Sequence, residues 1–92
     1  MLIASNTNSE LEQLFNVPSN SRHFFIMTTA NVNVSLIGIV MCSSNGAVAL
    51  LEISKGSGVS YTMAANRLTI TRNSNYVSYH AVALSGNEMT VV

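Results

Sequence analysis

The chain reads as an all-β protein, and three observations predict it. Short segments rich in Val, Ile, Thr, Tyr and Phe recur at roughly ten-residue spacing between turns of Asn, Ser and Gly. No stretch after Pro18 carries apolar residues at helical spacing. Charge is sparse: four basic and four acidic residues make 9% of 92 positions, against about 25% in an ordinary soluble domain. Counting the segments gives seven or eight short strands. That number at that spacing points to an antiparallel β-sandwich, jelly-roll-like, over any α/β fold. A small closed barrel satisfies the same pattern.

The elements follow in order. Met1–Ala4 has the composition of a short strand and Ser5–Ser9 of a loop. Ser9-Glu10-Leu11-Glu12 then fits a capping box, with the Ser9 hydroxyl accepting from a helical amide and Glu12 reaching back. Leu11, Leu14 and Phe15 follow at helical spacing, and Pro18 stops any helix. Residues 1–21 are therefore expected as a short helix or an extended arm, separate from a β-sandwich domain over 22–92. From Arg22 onward the chain reads as strand. In NVNVSLIGIV, Val32, Val34 and Leu36 alternate with Asn31, Asn33 and Ser35. Past Leu36 the alternation gives way to the run LIGIVMC, the pattern of a strand covered on both faces. Gly38 inside that run marks a bulge or a close backbone approach.

Ser43–Gly46 ends in Asn-Gly, whose tolerance of positive φ at both positions makes it the strongest hairpin signal. AVALLEIS returns to a turn at Lys55–Gly58, and the strands VSYTM, RLTIT, YVSYHAVAL and EMTVV follow. Ala65-Asn66, Asn73-Ser74-Asn75 and Gly86-Asn87 are read as the hairpins joining them. Over Tyr76–Leu84 the alternation sets His80 with Ser78, Val82 and Leu84, and Tyr79 with Val77, Ala81 and Ala83. The terminal Thr-Val-Val is expected as a paired strand.

Composition excludes several functions. Arg22, Lys55, Arg67 and Arg72 are scattered, whereas binding phosphate backbones needs clustered cations; no nucleic-acid partner is expected. LIGIVMC is about a third of a membrane-spanning helix, so no membrane insertion is expected. Cys42 is the single cysteine, which rules out an internal disulfide. MLIASNTNSE lacks the basic and apolar regions of a signal peptide, so synthesis in a reducing cytoplasm is expected. His23, His80, Cys42 and Glu52 show none of the short ligand spacings of zinc sites. A Ser-His-carboxylate triad has only four glutamates to draw on, there is no G-x-S-x-G, and Glu52 and Glu88 stand far apart in sequence. No catalytic, cofactor or metal site is expected, and the chain is not read as an enzyme.

Two non-enzymatic roles remain. A net charge near zero leaves little repulsion between copies, which favours self-association. Leu36, Ile37, Ile39 and Val91 are the candidate subunit interface. The second role is a small monomeric carbohydrate-binding module. Tyr61, Tyr76 and Tyr79 supply flat rings for stacking on sugars, and Asn45 and Asn75 supply amides for hydroxyls. Loops on a rigid sheet commonly carry recognition, and the tips 43–46, 55–58, 73–75 and 86–87 are the candidates here.

The run GVSYTMAANRLTITRNSNYVSYHAVAL, about a third of the chain, resembles the ends of bacteriophage tail-fibre and baseplate proteins. The residues that carry the likeness are Asn66, Leu68, Thr69, Ile70, Asn73, Ser74, Tyr76 and Tyr79. The resemblance implies a C-terminal β-sandwich knob, often trimeric, that caps a fibre or contacts a host receptor. It further implies a virion component made in the bacterial cytoplasm, with other virion proteins or a host surface glycan as partners. One feature departs from the pattern: the chain is not expected to carry a long fibre shaft before the domain.

Overall fold

The computed structural model describes residues 1–6, 10–73 and 75–92. The expected cap Ser9 and the turn residue Ser74 lie outside the described residues. Among the described residues there are nine strands and one short 3-10 turn. The strands are β1 (Leu2–Asn6), β2 (Glu12–Asn16), β3 (Ser21–Thr28), β4 (Leu36–Cys42), β5 (Val48–Lys55), β6 (Val59–Ala64), β7 (Arg67–Arg72), β8 (Val77–Ser85) and β9 (Thr90–Val91). They form two antiparallel sheets, a five-stranded one ordered β1-β8-β3-β4-β5 and a four-stranded one ordered β6-β7-β2-β9. This is a β-sandwich.

The core lies between the sheets and follows the period-2 alternation of each strand. Phe25 and Met27 on β3, Leu36 and Val40 on β4, and Val77, Tyr79 and Ala81 on β8 point inward from the larger sheet. Phe15, Leu68 and Ile70 meet them from the smaller one. At the centre, the Phe15 ring stands edge-on to Tyr79 at 5.2 Å and to Phe25 at 5.7 Å. That geometry adds a favourable quadrupole term to the area the rings bury. The chain changes sheet between β1 and β2, β2 and β3, β5 and β6, β7 and β8, and β8 and β9.

Several expectations are corrected. Residues 11–16 form no helix; Glu12–Asn16 is a strand that pairs with β7 along its length and with β9 at its end. One turn of helix nucleates poorly and would hold its own few hydrogen bonds only. Two flanking strands satisfy the same backbone groups and put Phe15 in the core, so tertiary pairing wins. Residues 1–21 are accordingly not an arm, because β1 and β2 belong to the two sheets. Val32–Val34 is a 3-10 turn instead of strand, with the Asn31 side chain accepting from the Asn33 amide at 3.0 Å. Val34 is buried while Val32 is 78% exposed. β7 and β8 belong to different sheets, as do β8 and β9, so neither pair is a hairpin, whereas Ala65-Asn66 is a true hairpin joining β6 to β7. Turn chemistry reverses the chain but does not choose the sheet it enters next. At Asn45-Gly46 only Gly46 has positive φ (87°), the Gly46 amide donating to the Ser43 carbonyl in a longer loop.

Other expectations hold. Gly38 sits opposite an irregularity in the β4–β5 ladder, and a Cβ there would lie 2.7 Å from the Leu51 carbonyl oxygen. Thr90–Val91 pairs with β2.

Two polar residues, one of them buried, pin the ends of the sandwich. Arg72 is 3% exposed. It donates to the carbonyls of Glu10 (2.7 Å), Asn73 (3.0 Å) and Asn75 (2.6 Å), tying the stretch before β2 to the stretch after β7 through one cation. At the opposite end Asn66 adopts φ 55°, and its Nδ2 donates to the Val17 carbonyl (2.9 Å) and to Ser19 Oγ (3.1 Å).

His23 is fully buried beside Ser21. The Ser21 hydroxyl donates to the Pro18 carbonyl, so it accepts from His23 Nε2–H at 2.9 Å. That assignment leaves Nδ1 as the buried atom with no partner. Protonating Nδ1 would put a charge in apolar surroundings, and burial holds the His23 pKa below 6.5, opposed only in part by Glu88. A histidine depressed in the folded state takes its proton more readily when unfolded, so stability is full above pH 6.5 and falls as pH drops below it. Thermal melts at pH 7.5 and pH 5 should show the loss, and His23→Leu should flatten the difference.

Candidate functional site

The two outer faces of the sandwich differ. Residues directly opposite in a ladder share a face, so the registers assign each side chain. On the four-stranded sheet Leu14, Thr69 and Thr62 form one outward row, and Glu12, Thr71 and Ser60 the next. Leu14 is the one large apolar residue among these six. This is the polar face that an antiparallel sheet ordinarily turns to water.

The outer face of the five-stranded sheet is apolar. Its central row runs Val82 (β8), Phe24 (β3), Ile39 (β4) and Leu51 (β5), four consecutive strands without a polar atom. The next row holds His80, Ile26 and Ile37 between Leu2 and Ser54. The row on the other side pairs Arg22 with Met41, and Met41 with Ala49. Val82 is 52% exposed, Leu84 60% and Leu51 59%, while Phe24, Ile26, Ile37, Ile39 and Met41 are half-buried by their neighbours alone. Arg22 is the charged residue of these rows, and it stands at one end. A hollow of about 400 Å³ lies on this face, lined by Met1, Phe24, Ile26, Thr28, His80 and Val82. A second, of about 580 Å³, lies at the Arg22 end beside Met41, Ala49 and the 43–47 loop.

The sequence-derived candidates scatter over this architecture. Ile37 and Ile39 lie on the apolar outer face. Leu36 is fully buried between the sheets, and its place in the subunit interface is corrected to the core: alternation along β4 turns it away from Ile37. Val91 is 42% exposed on β9, in the other sheet.

Tyr79 is likewise corrected from surface contact to core. Its ring is fully buried against Phe15 and Phe25, and its hydroxyl lies beside Arg72. Burial raises its pKa above 10.0, with Arg72 opposing. Tyr76 is 70% exposed in the β7–β8 crossing. Tyr61 is half-buried at the edge of the smaller sheet, its hydroxyl donating to Glu52 at 3.1 Å. Asn45 tips the loop beyond Cys42, which pairs with Ser21, whereas Asn75 lies beyond the other end of the sheet, next to the β8 start that pairs with Thr28. The length of β3 separates the two asparagines. The five proposed glycan contacts thus form no single site.

The loop tips do not gather at one place: the 55–58 turn meets Asn73, whose amide donates to the Gly58 carbonyl at 3.0 Å, whereas 43–46 lies at the other end of the sheet. The 55–58 turn is packed down, the Gly56 and Gly58 amides donating to the Ser35 and Asn33 carbonyls at 2.9 and 2.7 Å. Among the described residues no three His, Cys, Asp or Glu side chains stand close enough to hold a metal ion. No described helix is long and apolar enough to cross a membrane.

Sequence reasoning named Ile37 and Ile39 but missed Phe24, Ile26, Met41 and Leu51, the rest of the face. The signal was present: HFFIM, LIGIVM and HAVAL are apolar on both alternation phases. Set against protein-family models, curated proteins and solved structures, the chain gives no match.

Proposed function

We propose that the chain is a structural protein that works by self-association, a virion component of the tail-fibre or baseplate kind that meets its neighbours through a sheet face. The observation that carries this reading is the apolar outer face of the five-stranded sheet, set against the polar outer face of the other. Exposed contiguous apolar surface on this scale marks an interaction site in a soluble domain. A chain with four positive and four negative charges adds no electrostatic barrier to copies meeting. The phage assignment draws on the likeness of residues 58–84 alone, and a host receptor would then be met by the exposed Ser43, Ser44 and Asn45 and by Tyr76.

A glycan-binding module finds less support, because Tyr79 is in the core and Asn45 and Asn75 lie at opposite ends. The test is absolute mass by light scattering over a range of concentrations, run beside a glycan array. A mass that is a multiple of 9.8 kDa, with no glycan bound, supports the assembly reading. A concentration-independent monomer that binds glycan through Tyr61 or Tyr76, and loses it on substitution with Ala, would overturn it.

A further inference from the structure

We infer that the occupant of the apolar face is a second copy of this chain, stacked sheet on sheet about a two-fold axis that runs along the strands between β3 and β4. The inference rests on the self-association reading and adds the partner, the symmetry and the contacts. It replaces the three-fold arrangement that the phage resemblance implies.

Area supports it first. The axis overlays four strands of each copy, β8, β3, β4 and β5; at about 4.8 Å per strand they are roughly 19 Å wide, and seven residues of strand make them roughly 23 Å long. The flat footprint is about 440 Å², and side-chain relief raises the accessible surface over it toward the roughly 600 Å² that each partner contributes at the lower bound of a standard-size interface. Stacked in this way, two copies would bury the central row and the row of Ile26 and Ile37 beside it, with the row of Arg22 and Met41 at the rim, giving LIGIVMC the second cover that its unbroken apolar run calls for. Arg22 stays at the end of the face, where it is exposed.

Shape supports it next and selects the axis. Leu51 stands out from one side of the face, 59% exposed on the edge strand β5. The 400 Å³ hollow lies on the other side, around β8, lined by Phe24, Ile26, His80 and Val82. Rotation about an axis along the strands between β3 and β4 lays β5 of each copy over β8 of the other and β4 over β3. Each Leu51 then meets the hollow of the second copy in the row of Val82, and Phe24 meets Ile39. An axis across the strands would lay β5 on β5 and the hollow on itself, leaving both protrusions and both voids unfilled. Packing with near-aligned strands is also the commoner way for sheets to stack.

The test is thiol cross-linking of the double variant Leu51→Cys with Val82→Cys, using a bis-maleimide that spans about 8 Å, comparable to the ~10 Å between stacked sheets. Both side chains are more than half exposed, so the substitutions leave the core intact, and Cys42 is buried. Within one chain the two positions are three strands, about 14 Å, apart and out of the reagent's reach. The stack predicts a covalent two-chain species in the double variant, at least about tenfold more abundant than in either single variant or in the unmodified protein. Scattering of the unmodified protein reads the mass alongside. Association without that cross-link, a threefold mass, or a cross-link as strong in Leu51→Cys alone would overturn the two-fold stack and leave self-association standing. A monomer at every concentration would overturn both.

Discussion

Phe15→Ala is expected to cost about 3–5 kcal/mol, the range for a buried aromatic truncated in a close-packed core. Phe15 is the ring that the smaller sheet inserts between Phe25 and Tyr79 of the larger one, at 5.7 and 5.2 Å. Its loss removes two edge contacts and opens a void that neither sheet can close without breaking its own ladder. A 92-residue domain has about 5–14 kcal/mol of stability in all, so about a fifth or more is at stake. At this size each kcal/mol shifts Tm by about 4–8 °C, and thermal melting should show a fall of at least about 12 °C. A fall under 4 °C would mean that the aromatic cluster does not hold the sheets together. Phe15→Leu, which keeps most of the volume, should lose far less.

Ile39→Lys should act on assembly and spare the fold. Ile39 is the centre of the outward row, flanked by Phe24 and Leu51. In a single chain the lysine stem lies along these neighbours and its ammonium reaches water. In an assembly through this face, symmetry buries two such charges in one apolar contact without partners, which is strongly unfavourable. The dissociation constant should rise at least about 100-fold, equivalent to about 2.7 kcal/mol, while Tm measured below that constant stays within a few degrees. Thr69→Lys, on the polar face, is the control and should change neither quantity. Equal effects from the two variants would remove any special role for the five-stranded sheet.

How much of this was legible in the sequence depended on which physical rule was in charge. Alternation carried the strand faces: Val77, Tyr79 and Ala81 turn inward and His80 and Val82 outward, as their spacing states. The same alternation already argued Tyr79 into the core with its apolar neighbours, and its chemistry as an aromatic obscured that. The unbroken apolar run of β4 signalled a strand with two apolar faces, but a single sequence does not say what covers the second. Leu11, Leu14 and Phe15 matched a helical period over one turn, and the pairing that overrode it comes from β7, some 50 residues later, beyond the reach of any local pattern. Sheet membership was hidden for the same reason, since Asn73 and Gly86 turn signals look alike whether the next strand pairs with the last one or crosses the core. The apolar outer face emerged only when β8, β3, β4 and β5 were laid side by side, because each contributes at most three residues of it.

The most direct measurement is small-angle X-ray scattering across a tenfold concentration range, read for forward intensity and radius of gyration together. One chain has a Cα radius of gyration of 12.1 Å and a mass of 9.8 kDa. Two sandwiches stacked through their five-stranded sheets, with centres roughly 20 Å apart at about 10 Å per sheet spacing, give about 16 Å and twice that mass. A single-chain mass with a radius near that of one sandwich at every concentration would contradict the account.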